Sequence, residues 1–183
     1  ADVLTKGLHQ FNVVGLPDTA VKEARDRVSA AIKNTGFRPP HHSGRVTINL
    51  APADLPKGSA AYDLPMALAF LLATKQITFT PEKRFFIGEL ALDGRLRPVS
   101  GVLPLVLFAQ RSGFEEVFVP AENAREAALV PGMCVRAISG LDMLVAHLDG
   151  RKPILAFSET RPREASAGTN ATDFSLIRGQ EHA

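Results

Sequence analysis

The sequence predicts an α/β (α+β) fold, a two-layer sandwich in which helices pack on a mixed sheet. Three observations carry that expectation. Strand-like and helix-like stretches are interspersed along the chain, so helices must cover a sheet. A tight hairpin and longer crossover connections are both present, so the sheet mixes antiparallel and parallel neighbours. Apolar residues make up 45% of the 183 residues, enough for a real core.

In chain order, residues 11–17, FNVVGLP, read as a short apolar strand stopped by Gly-Leu-Pro. Asp18 then serves as an N-cap for a helix running to about Asn34. Val21, Ala24, Val28, Ala31 and Ile32 fall on its apolar face, and Lys22, Glu23, Arg25, Asp26, Arg27 and Lys33 on the other. Residues 37–45, FRPPHHSGR, form a loop, because consecutive prolines remove backbone donors. VTINL alternates like a strand, and APADLPKGSAAY is loop again. Asp63 is expected to cap LPMALAFLLAT, a helix apolar nearly all round and therefore buried. RFFIGELAL and RLRPV are expected to pair across Asp93-Gly94, a strong hairpin signal. Gly101 opens the helix GVLPLVLFAQRSG; EVFVP is a strand, AENAREAAL a helix, CVRAI a strand and GLDMLVAHL a last helix.

Bulk properties exclude several classes. The net charge of +2 advertises no large basic field, so any nucleic-acid contact must come from a local patch. One cysteine, Cys134, leaves no internal disulfide framework and fits a reducing compartment. The first residues, ADVLTKGLHQ, lack the charged start and apolar run of a signal peptide, and begin as if in mid-strand. The longest apolar stretch, 64–74, is about half the roughly 20 residues a membrane helix needs. The expectation is a cytoplasmic protein with no membrane partner.

The chain carries neither a P-loop nor a G-x-G-x-x-G motif. His41 and His42 are adjacent, which disfavours a shared metal, and no metal site is expected. Cys134 lies in an apolar strand and is expected to be a buried, inert thiol. Ser59, close to Lys57, could be a lysine-activated nucleophile, but Lys, Gly and Ser are ordinary loop residues and the loop reading is preferred. Glu89 and Asp93, four positions apart on one strand, share one face and could be a pair, with a functional acid as the second reading of Glu89 after a structural ion pair. Asp93 is explained by its turn; a buried Glu89 would need a partner, which Arg95 or Arg97 can supply. Arg38, His41, His42 and Arg45 make a small basic loop that is at least as well read as a solvated one; with Lys57 they are the candidates for any contact with nucleic-acid phosphates.

Several blocks in fixed order then form a known pattern: VGLPD-x-AVKE, NLAPADLPK, DLP-x-A and GEL-x-LDG-x-LRPV-x-GVLP. Over residues 1–150 the chain resembles the N-terminal domain of the ComM/YifB family, the magnesium-chelatase-like AAA+ ATPases. Residues 151–172, rich in Pro, Ser, Thr and charge, read as a linker. Residues 173–183, DFSLIRGQEHA, resemble the entry to the family's AAA+ module, just before its Walker A loop.

The resemblance implies the fold of the Lon proteolytic domain, which is that of the second domain of ribosomal protein S5. Lon-type proteases place a serine at the start of a buried helix and a lysine at the start of the helix after the hairpin. By register these positions are Asp63 and Leu103, so both members of the dyad are replaced and no catalytic residue is expected. The resemblance also implies an ATP- and Mg-dependent, homo-hexameric parent that acts on DNA as a branch-migration helicase in natural transformation. The domain itself would bind no cofactor and would pack against the parent's AAA+ module. Two other readings stand beside this one: a Lon-type peptidase using Ser59 and Lys57, and a magnesium chelatase accessory domain.

Overall fold

The computed structural model describes residues 2–4, 10–14, 18–42, 44–50 and 60–158. In chain order these hold β1 (Asp2–Leu4), β2 (Gln10–Val14), α1 (Asp18–Asn34), β3 (Arg45–Asn49), α2 (Asp63–Ala73), β4 (Arg84–Phe86), β5 (Glu89–Leu90) and β6 (Leu96–Arg97). They continue with α3 (Val102–Arg111), β7 (Glu116–Pro120), α4 (Ala124–Ala127), β8 (Cys134–Ile138) and α5 (Leu141–Leu148). The architecture is mixed α/β. One sheet has the order β1-β3-β2, with β1 antiparallel and β2 parallel to β3. The second, β4-β7-β8, is wholly parallel, and β5 and β6 form a separate hairpin.

The parallel sheet is covered on both faces, which is why VFVP, after Glu116, is an unbroken apolar run rather than an alternating one. Val117 and Val119 point into a cluster with Val102, Val106 and Ala109 of α3 and with Ala124 and Ala127 of α4. Phe118 and Ile138 point the other way, into a cluster with α1, α2, α5, β2 and β3. There α2 buries Leu64, Met66, Leu68, Phe70 and Leu71 completely or nearly so. Burying each such side chain stabilises by roughly 1.5–3 kcal/mol.

The hairpin is shorter than the sequence suggests. RFFIGELAL is two strands, not one: Arg84–Phe86 joins the parallel sheet beside β7, and only Glu89–Leu90 pairs with Leu96–Arg97. The break falls at Gly88, which is buried against the start of α2. Its N–H donates to the Ala61 carbonyl and its carbonyl accepts from Leu64 N–H, both at 3.0 Å. A Cβ at position 88 would lie 2.2 Å from Leu96 Cδ2, so any larger residue here would have to displace the Leu96 side chain. The Asp93-Gly94 turn docks on the end of α1, where Asn34 Nδ2 donates to the Leu92 carbonyl at 2.7 Å.

AENAREAAL also differs from expectation. It is a 3-10 turn, Ala121–Asn123, followed by the one-turn α4. The reason is Asn123, a buried polar side chain turned inward to tie down the segment after the hairpin. Its Oδ1 accepts from Val99 N–H at 2.9 Å and its Nδ2 donates to the Val99 carbonyl at 3.0 Å. Asn123→Ala strands both buried backbone groups, and should lower stability by about 2 kcal/mol. Urea unfolding checks this; a loss below about 0.5 kcal/mol would mean that water replaces the amide. Cys134 is half-buried rather than buried, with Sγ 4.0 Å from Glu116 Oε1. No helix among the described residues is long and apolar enough to cross a membrane.

Candidate functional site

Position 63, where the resemblance places the serine, is the first residue of α2. It is not the helix cap that local sequence suggests. The cap residue is Tyr62, whose helical dihedrals continue a preceding 3-10 turn, Ala60–Tyr62, and no side chain caps the end. Leu64 N–H is satisfied by Gly88, and Pro65 has no N–H, so little is left for a capping carboxylate to bind.

The fully buried Asp63 instead takes a two-pronged ion pair from α1. Arg27 Nε donates to Oδ2 at 2.7 Å and Nη2 to Oδ1 at 3.1 Å; Leu90 N–H adds a bond to Oδ2 at 3.3 Å. Burial pushes the Asp63 carboxyl above the usual range, and the Arg27 guanidinium opposes that push. Arg27 therefore does not belong to the solvated face of α1. Its spacing from Ala24 and Ala31 puts it beside the apolar stripe, and that was the signal available in the sequence.

Position 103, where the resemblance places the lysine, is the second residue of α3. Gly101 precedes the helix as its cap. The backbone N–H of Leu103 donates to Glu126 Oε1 at 2.9 Å, so a carboxylate from α4 closes this helix end. Nothing local in GVLP marks Glu126, 23 residues further on, as the partner.

Between the starts of α2 and α3 lies a cavity of about 300 Å³, lined by Tyr62, Phe85, Phe86, Ile87, Gly101 and Leu105 among others. Its walls are mostly apolar. Ser59 and Lys57 lie outside the described residues.

Glu89 faces Arg97 across the hairpin at 3.8 Å, and Asp93 holds Arg95 at 2.7 Å within the turn. The two acids are thus not a pair, because the strand ends before Asp93. Backbone and side-chain N–H groups of Arg95 hold the Asp93 carboxyl below its ordinary range. Among the described residues no cluster of three or more His, Cys, Asp or Glu is placed to hold a metal.

The basic loop is exposed at every candidate position described: Arg38, His41, His42 and Arg45. His41 and His42 sit in a 3-10 turn, Pro40–His42, with ring centroids 4.4 Å apart. The backbone of Arg38 is pinned by Gln76, whose Oε1 accepts from Arg38 N–H at 2.7 Å and whose Nε2 donates to its carbonyl at 3.0 Å. The Arg38 side chain is left in solvent. Arg45 opens β3, opposite Leu4 and Gln10 of the flanking strands.

Comparison with known proteins adds to this geometry. A family model described as subunit ChlI of Mg-chelatase matches residues 2–123. The chain is 41% identical over 183 residues to the competence protein ComM of Haemophilus influenzae, covering 98% of this chain and 35% of that protein. It is 40% identical over 179 residues to the uncharacterized protein YifB of Escherichia coli, covering 97% and 34%. A Lon protease of Syntrophomonas wolfei is 30% identical over 104 residues, covering 57% of this chain and 12% of that protein. The chain thus spans about a third of the length of its ComM and YifB relatives.

Proposed function

The chain belongs to the family of subunit ChlI of Mg-chelatase, and on that premise we propose that it is a non-catalytic, Lon-protease-like domain of a ComM/YifB-like protein that works on DNA. Its fold on this reading is that of the second domain of ribosomal protein S5. The parent would be a hexameric ATPase in natural transformation, with ATP and Mg bound by the AAA+ module and not by these residues. The competence role in the name of the Haemophilus relative supports that direction.

One observation carries the non-catalytic part. The two positions of a Lon-type dyad hold a carboxylate locked in an ion pair and a leucine whose helix end is filled by Glu126. A buried, paired carboxylate is no acyl-accepting hydroxyl, and leucine offers no base. Peptide hydrolysis by the chain that disappears in Ser59→Ala would overturn this reading in favour of a relocated Ser59/Lys57 dyad.

The DNA part rests on the exposed loop with Arg38, His41, His42 and Arg45, together with Lys57. Binding to single-stranded, duplex and branched DNA should weaken steeply with salt. If Arg38 and Arg45 each neutralise one phosphate, replacing both by alanine should lower the log–log salt slope by about 2. No binding at low salt, or an unchanged slope in the double variant, would move the DNA work elsewhere in the parent.

A further inference from the structure

We propose that residues 153–157 form a strap on the edge of β8, latched by the neutral imidazole of His147 and released when that imidazole is protonated. β8 is the last strand of its sheet, and the chain leaving α5 lies against it. Three bonds tie this stretch down. Phe157 N–H donates to the Val135 carbonyl at 2.7 Å, the Arg136 guanidinium donates to the Ile154 carbonyl, and Ile154 N–H donates to His147 Nδ1 at 2.9 Å. Only the first is a backbone ladder bond, so the hold depends on two side chains.

Ile154 is buried at 7% exposure while its neighbour Leu155 is 84% exposed, so the strap is anchored at Ile154 with the next residue in water. The anchor requires a lone pair on Nδ1, hence an imidazole with its single proton on Nε2. A second proton puts a donor on Nδ1. The buried Ile154 N–H then faces N–H and has no acceptor, an arrangement that burial penalises.

The surroundings set where this happens. His147 packs on the Phe118 ring, 5.5 Å between centroids. The charged groups around it are Arg136 of β8, Glu116 of β7 and Arg84 of β4. Burial, then the Arg136 charge, hold the imidazole below its ordinary range, while Glu116 pulls the other way. Glu116 is itself bound by Arg136 at 2.6 Å and by Arg84 at 3.1 Å.

The sign follows from linkage. A folded-state value below the free value of about 6.5 means that the contribution of neutral His147 is complete above that pH. It is lost as pH falls from there through the folded value. Because coupling is reciprocal, opening the strap raises the affinity of His147 for its proton.

The test is nitrogen NMR on the full chain from pH 8 to pH 5. Imidazole nitrogen shifts report the His147 titration, and heteronuclear NOEs with amide exchange of 154–157 report the strap. Exchange at Ile154, corrected for its intrinsic pH dependence, should rise about tenfold as His147 gains its proton, with Val119 unchanged. His147→Gln keeps an acceptor that does not titrate, and should hold the strap closed throughout. His147→Phe keeps the ring without the acceptor, and should leave the strap loose at every pH. A strap that stays ordered while the wild-type His147 titrates overturns the proposal. So does a strap that loosens equally with acid in His147→Gln.

Discussion

Arg27→Met is expected to lower folding stability by about 3–5 kcal/mol near neutral pH, the cost of leaving a buried carboxylate without its partner. Asp63 is fully buried, so it cannot turn to water. The loss should shrink in acid. Burial already pushes the Asp63 carboxyl up, and Arg27 is the group that opposes it. With Arg27 gone, the folded value rises further above the free value of about 3.9. Below that free value both states hold the proton and the unpaired charge costs nothing. The penalty then grows as pH rises towards the folded value. Urea unfolding of wild type and variant at pH 4 and pH 7.5 tests this, and an equal loss at both would rule out the ion pair as its source. Asp63→Asn should cost less, because Arg27 is 26% exposed and can rehydrate.

Phe118→Ala should cost about 3–5 kcal/mol, the range for emptying a close-packed site of a large aromatic ring. Phe118 is fully buried at the middle of β7. Its ring stacks on Phe86 at 4.8 Å and 13° and lies 5.5 Å from His147. The cavity would open where α2, α5 and the parallel sheet meet. Phe108→Ala, at a ring 60% exposed on α3, is the control and should change stability by no more than about 0.5 kcal/mol. A similar small change at Phe118 would mean that the core collapses to fill the space.

Local chemistry was legible in the sequence, and long-range partnership was not. The Asp-Gly turn, the buried α2 and the start of α3 after Gly101 each follow from residues within a few positions of one another. The exposure of the basic side chains was equally legible from their charge, but Pro40–His42 form a 3-10 turn and Arg45 already belongs to β3. The role of Asp63 was misread because an acid before an apolar run looks like a cap, whereas its partner Arg27 sits 36 residues away on another helix. The break in RFFIGELAL was signalled by Gly88, a glycine inside a strand pattern. The meaning of that signal depended on α2 passing close by.

The carboxylate of Glu126 at the start of α3 has a consequence for redesign. A lysine introduced at position 103 would arrive beside an anion already seated there. Such a lysine would be held in its charged form and so be useless as a base. A serine introduced at position 63 would likewise take away the carboxylate that Arg27 binds. Installing a Ser-Lys pair here would therefore involve the partners Arg27 and Glu126 as well as positions 63 and 103. Both places are already spoken for: the side chain at 63 and the backbone at 103 each carry a carboxylate bond that ties one helix to another.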